Sequence, residues 1–365
     1  MMRKGSTFRD FDWNLLGFAW LISLVGVVQI YSASLSTKFT GFHIKQLEWL
    51  LAGTAIMFLV SFVDYHQLIE RIHWAYAIGI VLLIAVKLFG VTALGAKRWI
   101  KLPGIGLFQP SEWIKIILII ALARYLASLN QRDVTWSDIF KAGVLVGIPM
   151  VMVLKQPDLG TSLTYLPPLI VGLFLAGIKP KQVAVIGLAA CLVMPLAWHF
   201  ALKPYQKDRL ISFRHPELDP KGSGYQVQQS LIAVGAGGIW GKGIGQGSQI
   251  QGAFLPVTHT DFVFSGFAEE HGFVGASMVL LLYFILLMRL VQNAQTAPDR
   301  AGAFIVMGVV AILAFHVLVN VGMVVGMMPV TGIPLPLMSY GGSSVMFTFL
   351  ALGIVMNIRM RRFVN

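Results

Sequence analysis

Ten apolar runs dominate this chain, and most are long enough to cross a bilayer: 14–33, 46–63, 73–90, 110–128, 141–155, 159–177, 182–199, 262–290, 302–325 and 341–358. A hydrocarbon core of ~30 Å takes ~20 residues of helix. Lipid gives no partner to an unpaired backbone group, so runs of this kind must form helices. The expected fold is an all-α polytopic membrane protein of about ten transmembrane helices, one domain over residues 1–365. The first run follows Arg3, Lys4 and Arg9 as a secretory signal would, but with so many spans behind it we read an uncleaved first helix. Only Gln156-Pro157-Asp158 separates the fifth and sixth runs, which requires a tight re-entry. The eighth is too long for the core at ~1.5 Å per residue and should tilt or project.

Charge decides sidedness. With an inner N-terminus, the inner segments carry fourteen Lys and Arg residues, and the outer ones carry twelve. Six of those twelve (Lys203, Lys207, Arg209, Arg214, Lys221, Lys242) lie in the polar stretch at about 200–260, too long a loop to count. Both termini are therefore expected inside, and 200–260 becomes one long extracytoplasmic loop. The net charge of +12 needs no nucleic acid, because the basic residues lie between spans and are matched by topology and anionic lipid. A single cysteine, Cys191, inside an apolar run, gives no disulfide framework and no metal-ligand spacing.

The chemically unusual segments then share the outer side. No Walker-type lysine or dinucleotide fingerprint is present. The glycine-rich Gly235–Lys242 lies outside, where no nucleoside triphosphate is available. The substrate must bring its own leaving group. Asp261, where the polar loop runs into the eighth span, is either that helix's N-cap or a desolvated general base. Glu269, near the same face, and Glu270 and His271 suit tethers better than reacting groups. Glu112 and Lys115, three apart on the fourth span, form an ion pair, face an anionic substrate, or do both. Asp158 is a turn or N-cap residue, or lines a site. Lys207, Arg209 and Arg214 accompany Tyr205, Phe213 and Tyr225; the group is a solvated basic loop or a seat for pyrophosphate and sugar rings. Ser339–Ser344 follows three prolines and should pack as a re-entrant turn.

Taken together these strings resemble the SEDS family (shape, elongation, division and sporulation) from about Gln29 to Arg362. The resemblance rests on Gly95-Ala-Lys-Arg-Trp99, Phe108-Gln-Pro-Ser-Glu-Trp-Ile-Lys115, Gln156-Pro-Asp-Leu-Gly-Thr161, Phe254-Leu-Pro with His259-Thr-Asp-Phe262, Ala268-Glu-Glu with Gly272, Asn320-Val-Gly-Met323 and Pro336-Leu-Met-Ser-Tyr-Gly-Gly-Ser343. Val330–Pro336 is more like the elongation members than the division members. Val257 departs from the pattern, since relatives usually carry glutamate there.

The resemblance implies a peptidoglycan glycosyltransferase that polymerises lipid II on the outer face of the cytoplasmic membrane during elongation, with loss of undecaprenyl pyrophosphate. Asp261 would be the base. Lys97, Arg98, Glu112, Lys115, Asp158, Arg209, Arg214, His259, Ser339 and Ser343 would bind substrate. A divalent cation (Mg or Mn) or basic residues would steady the pyrophosphate, without a nucleotide. A class B penicillin-binding protein, the crosslinking transpeptidase, would be the partner. The competing reading is a lipid II flippase or other transporter, against which stands the clustering of polar residues on the outer side rather than at midplane. A pure scaffold would leave a desolvated aspartate unexplained.

Overall fold

The computed structural model describes residues 10–35, 41–93, 96–102, 106–129, 133–220, 222–255 and 257–362. Arg3, Lys4, Arg9, Gly95, Lys221 and Pro256, all weighed above, lie outside the described residues. Each apolar run is helical: α1 Trp13–Ser34, α2 Phe42–Phe62, α3 Tyr65–Phe89, α4 Pro110–Ala127, α5 Trp136–Leu154, the pair α6 Leu159–Leu163 and α7 Leu166–Ala176, α8 Pro180–Leu196, α12 Val263–Gln295, α13 Arg300–Val324 and α14 Gly342–Met360. Among the described residues, nine helical stretches are long and apolar enough to span a membrane. The tenth, α4, carries Glu112, Lys115 and Arg124 within its 18 residues.

Polar side chains start several of these helices. Asp12 caps α1 through Leu15 N, Asp299 caps α13 through Gly302 N, and Thr135 and Asp138 form a reciprocal capping box on α5. Asp12 also binds Arg289 and Arg359, each at 2.9 Å. Buried carboxylate and guanidinium groups thus lock the start of α1 to the ends of α12 and α14, so the two ends of the described chain share one side of the bundle. α4, α13 and α14 are its most buried spans. α8 lies at the other extreme, with side chains such as Leu188, Leu192 and Met194 exposed all round. Cys191, expected to be buried, is exposed on this helix.

Four features were not anticipated from the runs. Val91–Ala93 (β1), Ala96–Leu102 (β2) and Gly106–Phe108 (β3) form a small antiparallel sheet between α3 and α4. The sixth span is broken at Thr164-Tyr165. The 200–260 loop folds into α9 Pro204–Arg214, α10 Ser223–Gly237 and the short α11 Ser248–Gln251, with α10 packed on α12. The excess length of the eighth span is resolved at Gly272, whose φ of 65° and ψ of −165° break α12 into two.

That break leaves no backbone group adrift. Phe273 N and Val274 N donate to the carbonyls of Gly238 and Ile239 at 2.9 and 3.1 Å, while Lys242 N and Gly243 N donate to those of Glu269 and Glu270. The glycine-rich segment therefore supplies the partners that the helix loses. Glu269 and Glu270 are tethers, as expected: Glu269 takes Lys242 Nζ at 2.8 Å, and Glu270 takes Ser32 Oγ and Gly245 N. Glu269 turns to this loop, not to the face that carries Asp261.

Between α13 and α14 the chain runs without regular structure through buried Ile333, Leu335, Leu337, Met338 and Ser339. Gln46 of α2 holds it at both ends of its amide, donating to Ser339 O and accepting from Gly341 N. Of the segment expected to turn back, Ser339 ends this buried run, while Gly342–Ser344 form the first turn of α14 and are half-buried.

Candidate active site

Asp261 does not cap α12. It lies in a turn in which Thr260 N and Phe262 N both point to Val257 O, at 3.2 and 3.5 Å. Val257, at the position where the resemblance expects glutamate, adopts a left-handed φ of 58°. Three successive carbonyls of this turn are pinned from outside it. His259 O accepts from Tyr340 N at 2.8 Å, Thr260 O from Ser339 Oγ at 2.6 Å, and Asp261 O from Asn320 Nδ2 at 2.9 Å. The main chain, held by Ser339, Tyr340 and α13, thus fixes where the half-buried carboxylate stands.

Two guanidinium groups act on that carboxylate. Strand alternation sends Lys97 and Arg98 of β2 to opposite faces. Arg98 reaches Asp158 at 3.2 Å, while Lys97 turns away and donates to Leu88 O. Asp158 is the N-cap of α6, as one of its sequence readings has it, through Thr161 N, and it also accepts from Gln109 Nε2 and Arg98. Arg209 of α9 donates to Thr331 O at 3.1 Å. Gly160 lets α6 approach the same carbonyl, since a Cβ there would lie 2.5 Å from it. Gly332, next along, is exposed and has a φ of +73°; a Cβ on it would sit 3.5 Å from Asp261 Oδ2. The site opens at this glycine.

Burial pushes the Asp261 carboxyl above its usual range, Arg98 and Arg209 oppose that shift, as does a bond from Thr260, and Asp158 adds to it. Burial also holds His259 below the usual histidine range. Around the guanidinium groups three buried donors have no protein partner: Arg98 Nε, Tyr205 OH and Thr331 Oγ1. Unpaired buried donors are costly, and their gathering beside two cations marks a place for a multiply charged oxyanion.

The other expected site residues divide. Glu112 and Lys115 form the expected pair at 2.8 Å, but both are buried, and Lys115 is only 1% exposed. The lysine is turned into the protein, toward His316 Nε2 (3.3 Å) and the Phe347 ring, so it does not line the open site. The His259 ring packs edge-on against Phe42 and Tyr340. Ser339 is a latch, since its hydroxyl also accepts from Leu335 N. Ser343 is half-buried in the first turn of α14, and Arg214 is exposed at the end of α9. Gln109, Asn320, Thr331 and His316 were missed as site residues. They are uncharged and carry no periodicity of their own, although the first two fall inside strings that bear the resemblance.

Among the described residues no three His, Cys, Asp or Glu side chains gather as a metal-ligand set. The two nearby carboxylates, Asp158 and Asp261, share the positive charge of Arg98; a divalent cation held there would complete its shell with phosphate oxygens of the substrate.

Comparison with known proteins identifies the family. The chain is 40% identical over 341 residues to the Escherichia coli peptidoglycan glycosyltransferase MrdB, covering 91% of this chain and 90% of that one. It is 34% identical to Treponema pallidum RodA, also a peptidoglycan glycosyltransferase, covering 97% and 98% of the two chains. Among solved structures, it superposes with a TM-score of 0.84 on a chain of a peptidoglycan synthase complex that coordinates polymerization and crosslinking, at 32% identity and with 97% and 99% coverage. Thermus thermophilus rod shape determining protein RodA gives a TM-score of 0.72 at 30% identity, with 96% and 97% coverage. The family of cell cycle proteins that unites FtsW, RodA and SpoVE matches residues 12–363, and this chain belongs to it.

Proposed function

We infer that this chain is a peptidoglycan glycosyltransferase that polymerises lipid II, and that Asp261 is its base. One observation carries the reading: a carboxylate fixed through its own main chain, with its proton affinity raised by burial, faces two guanidinium groups across a cluster of unpaired donors. In the reaction the acceptor's GlcNAc 4-hydroxyl oxygen attacks the donor's anomeric carbon. The carbon–oxygen bond to undecaprenyl pyrophosphate breaks, and the hydroxyl proton passes to Asp261. Arg98 and Arg209 take up the charge that develops on the departing diphosphate, with Tyr205 and Thr331 donating to its oxygens. Asp158 and Gln109 hold Arg98 ready.

The site lies on the outer face of the cytoplasmic membrane, with both termini inside. The distribution of Lys and Arg supports this orientation, and a reaction driven by pyrophosphate departure needs no nucleotide. The preference of Val330–Pro336 for the elongation pattern supports a role in elongation. By analogy with the synthase complex above, a class B penicillin-binding protein would crosslink the strands.

The test is glycan synthesis from purified lipid II, with and without the transpeptidase. Asp261→Asn keeps size and hydrogen bonding but cannot accept the proton. It should lower polymerisation ~10²–10⁴-fold while the protein still folds and inserts. A variant that still makes long glycans would remove Asp261 from the mechanism.

A further inference from the structure

The pair Glu112–Lys115 lies away from the open site, yet its bonding leads back there through a residue with no role so far. Lys115 Nζ lies 2.8 Å from Glu112 and 3.3 Å from His316 Nε2, and an ammonium can only donate. The opposite ring nitrogen, Nδ1, faces Pro334 O at 3.3 Å, and a carbonyl can only accept. His316 is therefore neutral, with its proton on Nδ1 and its lone pair on Nε2; no other tautomer satisfies both contacts. It is 2% exposed, and no solvent competes for either nitrogen.

One helical turn along α13, Asn320 donates to Ile333 O at 2.8 Å and to Asp261 O at 2.9 Å. The same face of α13 thus grips two consecutive carbonyls, Ile333 and Pro334. The two residues immediately before them are Thr331, whose carbonyl orients Arg209, and Gly332, which lies against Asp261 Oδ2.

We propose that His316 is a positioning residue: its Nδ1–H, oriented by the Glu112–Lys115 pair, sets the register of the 331–334 segment and thereby the placement of Arg209 and Gly332 around Asp261. This rests on the reading of Asp261 as base. The buried ion pair, on this view, serves the reaction by fixing a tautomer rather than by touching lipid II. Losing one tether of two shifts the segment by a fraction of an ångström to an ångström, enough to cost turnover without abolishing binding.

The test uses the full chain with its transpeptidase and lipid II. His316→Gln keeps an acceptor for Lys115 but places no donor at Nδ1; His316→Asn keeps a donor at Nδ1 and gives up the contact to Lys115. The Gln variant should lose kcat ~10–100-fold with KM within ~3-fold of the parent, and amide exchange over residues 329–337 should rise. The Asn variant should keep most of its turnover and its exchange protection. Equal losses in both, a loss confined to KM, or a Gln variant with parental kcat would overturn the proposal. Should the Gln variant fail to insert, the Asn variant decides alone, because a large fall in its kcat is incompatible with the tether being what matters. Asp261→Asn, run alongside, separates the two ideas. If Asp261→Asn stays active, the base reading fails; if it is inactive while His316→Gln turns over normally, only the tether fails.

Discussion

Opposed influences set the proton affinity of Asp261, and that balance can be measured. Burial raises its pKa above the ordinary 3.8, with Arg98 and then Arg209 pulling it down. A base must be ionised to act, so kcat/KM should fall as pH drops through this pKa, with the acid limb above the position of an ordinary aspartate. Arg209→Gln removes a lowering influence and should move the limb to higher pH, besides reducing the plateau. A pH–rate profile of glycan synthesis reads both effects, and a limb that stays in place would mean that Asp261 is not the titrating group. Charged residues were the legible part of this site: Asp261 stood out as expensive near a membrane, Asp158 as a turn or site-lining carboxylate, Arg209 in the basic loop, and Arg98 through the resemblance. Lys115 stood out for the same reason as Asp261 and kept two readings, because cost alone cannot say whether a charge meets substrate or a buried partner; the structure shows the pair with Glu112. Tyr205 was noticed for its ring, not for its unpaired hydroxyl. Thr331 and His316 are invisible by this reasoning, since neither polarity nor spacing distinguishes them from ordinary loop and span residues.

Among the elements, α12 shows where run length and run geometry part. The apolar pattern continues straight through Gly272, so the sequence signals the excess length and conceals the break. What makes the break affordable is distant: the 238–243 segment, whose carbonyls and N–H groups pair with residues 269–274. A Cβ at Gly272 would lie 2.3 Å from Gly241 N and would also sit at a φ of +65°. The left-handed backbone alone costs ~1–3 kcal/mol for a residue with a side chain, and the clash adds to it. Gly272→Ala should therefore lower the melting temperature in detergent and reduce accumulation in the membrane. Gly143→Ala provides the contrast, because that helical glycine has nothing within 4 Å of its would-be Cβ. It should be neutral or stabilising by up to ~1 kcal/mol. Equal melting temperatures for the two variants would mean that the 238–243 segment yields freely and does not hold the kink. The sheet of β1–β3 escaped notice for a simpler reason: two of its strands have three residues each, too short for alternation to register.

For the whole molecule, everything depends on which way the bundle faces. The bonds from Asp12 to Arg289 and Arg359 put the start of α1 and the end of α14 on one side. The chemistry then needs the 200–260 region and Asp261 on the other side, where lipid II is presented, and the excess of Lys and Arg on the first side predicts that this side is the cytoplasm. Cysteine labelling tests the orientation directly. Glu217 is exposed between α9 and α10, and Gln295 is exposed at the far end of α12. Cys191 can be replaced by Ala beforehand at little packing cost, because its side chain is exposed on α8. In that background Glu217→Cys should react with a membrane-impermeant maleimide in spheroplasts, and Gln295→Cys should react only after lysis. The reverse pattern would place Asp261 in the cytoplasm, away from the donor and acceptor strands, and the polymerase mechanism would fail however well the site is built.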